Sequence, residues 1–303
     1  HVGMTDRLQR RSAPPGSAPL GRRFAVAWAF LLVSAALGVG LRLQQVFPVA
    51  GLNYGFLLHT HSHVAFLGWV FNAFFVAALR HFVPPEAARG YDRLWWTLQV
   101  GVLGMMATFP FQGYAVASIT FATLHTGAAA VFAWKLWHGN QAAPAARLHL
   151  RAALGFMVLS GLGPIVLGPL AALGLRESPL YTLSIYFYLH FQYNGWFLFF
   201  LQALLLQRHH EVGYPLDGDA ATRAARWLAG GCLLTYALSA LWTQPAAWVH
   251  GVAVAGGLMQ IIGCIELWRA CRGSHPSGAG LHVLEWVAAG CFFLKHGLQL
   301  AAA

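Results

Sequence analysis

Successive apolar stretches, each long enough to cross a bilayer, constrain this chain more than any other feature. A transmembrane helix needs about 20 consecutive apolar residues, and by that measure the 303-residue chain holds about nine spans. They fall at roughly 24–45, 55–80, 94–111, 114–138, 151–173, 180–206, 226–243, 246–269 and 281–301. Only 9% of the residues are charged, against about 25% in a soluble domain. The expected fold is all-α: a polytopic membrane helix bundle in the single transmembrane domain 24–301. His1-Val2-Gly3 ahead of Met4 reads as an expression-tag remnant. The start is basic and Pro-rich and runs into a span too long for a signal-peptide core, so no cleavable signal is expected. The segment 1–23 reads as a disordered cytoplasmic tail.

A formal net charge of +10 raises the question of nucleic acid. Its distribution argues otherwise. Of the 19 Lys and Arg, all but Arg42, Arg176 and Lys295 fall on one face once the spans are drawn. That is the positive-inside pattern, and it puts the N-terminus in the cytoplasm. The expected setting is a bacterial cytoplasmic membrane, with the bilayer as the first partner. The four cysteines (Cys232, Cys264, Cys271, Cys291) form no C-x-x-C and read as apolar packing residues.

Histidine is where chemistry enters. An imidazole in hydrocarbon is costly without a partner, so intramembrane histidines are functional candidates. His59, His61 and His63 lie within five residues of span two. At about 100° per residue, His59 and His63 share a helix face while His61 points nearly opposite. At about 1.5 Å per residue, His61 sits about 9 Å below the outer edge, His125 and His190 about 15 Å, His250 about 6 Å and His296 about 8 Å. These histidines lie on five helices and share the outer half of the bilayer. The remaining histidines, His149 and the pair His209-His210 among them, read as interfacial or solvated. Axial heme ligation takes one imidazole per ring face, and the spread over separate helices suits it better than a compact zinc site.

The halves echo each other. His63 is followed at five and six residues by Gly68-Trp69, and His190 at the same offsets by Gly195-Trp196. His125 and His250 occupy the fourth span of each half. The expected organisation is two four-helix repeats, about 24–138 and 151–269, plus an extra helix at 281–301.

His61-Ser62-His63-Val64-Ala65-Phe66-Leu67-Gly68-Trp69 resembles the His-x-His helix of the heme-copper oxidase superfamily, nearest the branch with nitric oxide reductases and C-type oxidases. The resemblance implies that His61 binds a gas-reactive heme and His63 a low-spin heme. Tyr188-Leu189-His190-Phe191-Gln192-Tyr193-Asn194-Gly195-Trp196 looks like the helix that gives a histidine to a non-heme copper or iron, with Asn194 where those reductases carry glutamate. The family has about twelve spans and a vicinal His-His pair, and this chain has neither within its spans. In size and halves it is also similar to heme A synthase. That likeness implies one heme on His61 or His63 with His125, and another on His190 with His250. The Glu-x-x-x-His signature of that family is absent, because position 59 is His and position 57 is Leu.

The resemblance implies an oxidoreductase that binds or reduces a diatomic gas, NO or O2. Electrons would come from a quinol or a periplasmic cytochrome. Expected cofactors are b-type heme and a second metal, copper or non-heme iron. His61, His190 and Asn194 would be catalytic; His61, His63, His125 and His250 would hold heme; His190, His296 and His59 would hold metal. The weakly charged, aromatic surface would accept a partner subunit or a second copy. Two other classes stay open: a heme-binding, sensing or heme-processing protein without gas reduction, and a non-heme metal protein.

Overall fold

In a computed structural model the described residues, which are 17–272 together with Gly290, Leu294, Lys295, Gly297 and Leu298, form helices joined by short loops, with no strand among them. Among them are eight helices: α1 (Ser17–Val46), α2 (Tyr54–His81), α3 (Pro85–Gln112), α4 (Val116–Gly139), α5 (Pro144–Ala172), α6 (179–211), α7 (218–243) and α8 (Ala247–Cys271). Six of these, α1 to α5 and α8, are long and apolar enough to cross a membrane. The expected nine spans are therefore corrected on that measure. Both α6 and α7 have membrane length but lower hydropathy, because α6 carries His190, Gln192 and Asn194 mid-helix and α7 opens with Asp219, Arg223 and Arg226. The ninth span, with His296 and Glu285, lies almost wholly outside the described residues, as do Cys291 and residues 1–16. Arg22 and Arg23 are not tail but the first turns of α1, where Arg23 pairs with Asp92 at the head of α3.

Local signals set the helix ends. The Asn53 carboxamide oxygen accepts from the Phe56 amide, Ser178 Oγ from Tyr181, and Asp217 Oδ1 from Ala220, each satisfying an amide with no partner inside its own helix. Pro85, Pro144 and Pro179 occupy first-turn positions, where a missing N–H costs nothing. Gly113 and Gly213 take positive φ (59° and 78°) where α3 and α6 stop. Helices α5 and α7 begin several residues before their expected spans. Hydropathy marks only the apolar part of each helix, whereas Arg147 and Arg223 lie on helical turns ahead of it.

The chain divides into two compact units, 1–132 and 133–303. In the first, Phe30, Val64, Val102, Met105 and Phe109 form a buried core cluster. In the second, α7 and α8 approach through glycine. A Cβ at Gly231, Gly256 or Gly263 would come within 2.8 Å of the facing helix, so those backbones meet at a distance only glycine permits.

Helices α2 and α6 share an unusual feature. Each contains one π-helical segment of seven residues, Val64–Val70 and Phe191–Phe197, and each segment begins on the residue after a histidine. The shared Gly-Trp falls inside both. Gly68 lies against Phe30 of α1, and a Cβ there would sit 2.9 Å from the ring. Gly195 lies against Phe156 of α5, where a Cβ would sit 2.5 Å from that side chain. π-Segments are rare and concentrate at functional positions.

Candidate functional site

In the first unit the histidines of α2 divide by face. The His61 Nδ1–H donates to the Ser34 carbonyl of α1 at 2.9 Å. Its ring lies beside Gly38, where a Cβ would approach to 3.2 Å. His59 and His63 point the other way. Their rings meet Tyr114 at 4.7 Å and Phe109 at 4.5 Å respectively. The His63 Nδ1–H donates to the His59 carbonyl one turn back, at 2.8 Å. That bond assigns the tautomer: Nε2 keeps its lone pair and is the nitrogen a metal could accept, since histidine ligands commonly donate their other ring N–H to a carbonyl.

His125 of α4 is 1% exposed, and its Nε2 is buried with no hydrogen-bond partner. Gly101 makes room for it, since a Cβ there would sit 2.9 Å from the His125 Cβ. Phe71 meets its ring edge-on at 5.0 Å. A buried imidazole nitrogen left unbonded costs about 1–3 kcal/mol. The His63 and His125 imidazoles are within electrostatic reach of one another. Each lies nine residues into its own helix, about 14 Å from that helix's start.

One turn along α2 from the Gly68 carbonyl sits a buried amide pair. Asn72 Nδ2 donates to Gln99 Oε1 (3.1 Å) and to the Gly68 carbonyl (2.7 Å). Gln99 Nε2 returns a bond to Asn72 Oδ1 at 2.9 Å. This pair locks α2 to α3 beside the π-segment.

The second unit treats its histidine differently. The His190 Nε2–H donates to the Cys232 carbonyl at 2.8 Å, and Asn194 Nδ2 donates to Nδ1 at 3.1 Å. Both nitrogens are engaged, so His190 offers no lone pair to a metal as it stands. Asn194 orients that ring. His250 is exposed in the first turn of α8, about 12 Å closer to its helix start than His190 is to the start of α6. The expected pairing of His190 with His250 across one heme is not what this geometry presents. His59 and His190 belong to different units, and His296 lies outside the described residues. Among the described residues no three His, Cys, Asp or Glu converge as a metal cage.

Two histidines were misplaced by their sequence. His149, expected at the interface, is fully buried between α5, α6 and α7. Its Nε2–H donates to the Ala221 carbonyl at 3.0 Å, and Nδ1 faces the Gln202 carboxamide at 2.9 Å. A neutral ring has a single N–H, so the Gln202 amide must present its NH2 to Nδ1; a buried imidazolium without a carboxylate would cost far more. The signal was available. His149 sits in the stripe Ala146, Leu150, Ala153, Met157 that α5 buries. His209, likewise expected at the interface, is also buried, while His210 is exposed.

No protein-family model, curated protein or solved structure matches this chain.

Proposed function

We propose that the first unit binds a heme axially between His63 and His125, and that the protein is a heme-bearing membrane oxidoreductase. One observation carries the reading: the buried Nε2 of His125 has no partner and lies within electrostatic reach of His63, whose own Nε2 is left free by the bond to the His59 carbonyl. Two opposed imidazoles are what heme requires, and the lack of a three-ligand cage among the described residues favours heme over a non-heme ion. Heme supplies one-electron chemistry when bound. The chain's own part is to fix the His63 tautomer, exclude water with Phe71, Phe109 and Val64, and rigidify the ligand helix through Asn72 and Gln99.

The membrane-length helices, the matching π-segments and the positive-inside charge support two four-helix repeats, a further helix near 281–301, and a cytoplasmic N-terminus in a bacterial inner membrane. The relation to nitric oxide reductases and C-type oxidases rests on the His61–Trp69 motif. His61 would then face a second, gas-binding heme. Its ring now lies on α1, so that role requires α1 to move. A second metal finds little support, given the engaged His190. A heme protein that transfers electrons without gas chemistry is the alternative that the His61–Ser34 bond favours. The donor is a quinol or a periplasmic cytochrome.

The test is the absorption spectrum of detergent-purified protein, oxidised and dithionite-reduced, with pyridine hemochrome quantification and CO addition. Expected are sharp reduced bands that vanish in His63→Ala and in His125→Ala but persist in His61→Ala. A CO shift lost in His61→Ala supports gas chemistry, and no shift supports electron transfer alone. Protein from heme-replete cells with no heme band refutes the proposal.

A further inference from the structure

The helix hairpin joining the end of α4 to the start of α5 differs in charge from the inner ends of α6, α7 and α8. There, arginines meet carboxylates: Arg208 pairs with Glu211, and Arg223 and Arg269 share Glu266. Between Asp92 and Glu177 the sequence holds no Asp or Glu at all. Arg147 and Arg151 therefore stand on a hairpin that has no acidic residue of its own to balance them.

The hairpin is fixed in place. Asn140 Nδ2 donates to the Leu136 and Trp137 carbonyls at the end of α4, at 2.9 and 3.1 Å, and Asn140 Oδ1 accepts from the Ala142 amide at 3.2 Å. Gln207 Oε1 of α6 accepts from the Ala143 amide at 2.9 Å. The Arg147 guanidinium folds back to donate to the Ala142 carbonyl at 3.2 Å, and that of Arg151 lies over the Trp137 indole, 5.5 Å from its centroid. A guanidinium stacked by its flat face keeps its in-plane N–H groups for an acceptor. Both arginines are exposed.

Spacing defines what those groups can hold. Arg147 and Arg151 are one turn apart on one face of α5, with Cβ atoms about 5–6 Å apart. At that distance two like charges repel, and a single phosphate group bridges them with charge-assisted hydrogen bonds. The same face continues as Gly155, Val158 and Leu162, all exposed, and a Cβ on Gly155 would meet nothing within 4 Å. His149 marks the opposite face, which is buried against α6 and α7. Arg151 lies about 10 Å along α5 from Pro144, so the cations stand at the head of an apolar lane that runs on into the bilayer.

We propose that this face of α5 binds an anionic phospholipid of the inner leaflet, with its phosphate between Arg147 and Arg151 and an acyl chain along Gly155, Val158 and Leu162. A zwitterionic lipid brings a cation of its own to two arginines that lack a balancing carboxylate. Free phosphate makes no use of the lane. The inference is independent of heme.

The test counts lipids bound to the full-length, detergent-purified protein by native mass spectrometry, with phosphatidylglycerol against phosphatidylcholine of the same chains. Phosphatidylglycerol should bind the more tightly. Arg147→Gln/Arg151→Gln should weaken its first binding event at least about tenfold, the loss expected for two interfacial arginines. Arg89→Gln/Arg93→Gln removes the same charge from the inner end of unit 1 and should leave that event unchanged. Circular dichroism and gel filtration check the fold of each variant. If the Arg147/Arg151 double variant misfolds, Arg151→Gln alone decides, with a loss of about fivefold expected. Equal binding of the two lipids, unchanged affinity in the folded Arg147/Arg151 or Arg151 variant, or an equal loss in the Arg89/Arg93 control overturns the proposal. Displacement of the lipid by millimolar inorganic phosphate also overturns it, since the face would then hold an anion and no lipid.

Discussion

His125 and His149 are both fully buried imidazoles on membrane-length helices, and replacing each with leucine should move stability in opposite directions. His125 Nε2 has no partner. Leucine abolishes that unbonded nitrogen, a gain of about 1–3 kcal/mol in protein free of cofactor. It also loses the edge-on contact with Phe71, about 0.5–1.5 kcal/mol. The net is a stabilisation of about 1 kcal/mol, or a rise of about 2–4 °C in midpoint. His149→Leu removes two hydrogen bonds worth about 1 kcal/mol each and leaves the Gln202 amide buried and unbonded. Its net is a loss of roughly 2–4 kcal/mol, or about 5–15 °C downward.

The assay is thermal unfolding of detergent-purified protein, produced with and without heme supply. Without heme, His125→Leu should be the more stable and His149→Leu the less stable than the parent. With heme, the order of parent and His125→Leu reverses, because the parent gains ligand stabilisation that the variant cannot. A His125→Leu midpoint that falls in heme-free protein, as His149→Leu does, would refute the reasoning. His125 would then be an ordinary satisfied core residue, and the observation behind the heme proposal would be gone.

The amide pair and the packing glycines give further checks. Asn72→Leu or Gln99→Leu alone strands the other amide and should cost about 1–3 kcal/mol, while the double variant should recover part of that loss, a coupling measurable by unfolding in mixed micelles. Gly195→Ala places a methyl 2.5 Å from Phe156 and should cost about 1–3 kcal/mol, more than Gly68→Ala against Phe30 at 2.9 Å. Gly127→Ala, with nothing within 4 Å, should leave the midpoint nearly unchanged in the same assay.

The sequence carried the helical class and the face on which each α2 histidine lies, because both follow from periodicity. Hydrophobic run length pointed to all eight described helices, six of them long and apolar enough to cross a membrane, but placed the starts of α3, α5 and α7 seven to nine residues late. It failed where helices continue as amphipathic turns, as at Pro144 and Gly218, since charged residues end an apolar run without ending a helix. The same truncation hid His149, which lies two residues before the expected span. Exposure of His250 and engagement of His190 were not legible. Both depend on which neighbouring carbonyl or amide comes within 3 Å, and no spacing rule encodes that. The repeated His-Gly-Trp offset was the visible trace of the π-segments, within which Gly68 and Gly195 each lie against a phenylalanine.

The two π-segments show how little separates a ligand from a structural histidine. After His63 the helix carries Val64 at the position where Phe191 follows His190, and Leu67 where Asn194 stands. Leu67 cannot donate to an imidazole, so His63 turns its Nδ1–H to the carbonyl one turn back and leaves Nε2 open. Asn194 donates to Nδ1 of His190, which drives the proton to Nε2 and onto the Cys232 carbonyl. One side chain four residues along the helix therefore selects the tautomer, and the tautomer selects the role. The same position is where the resembling reductases carry a glutamate, which accepts rather than donates and would return the proton to Nδ1.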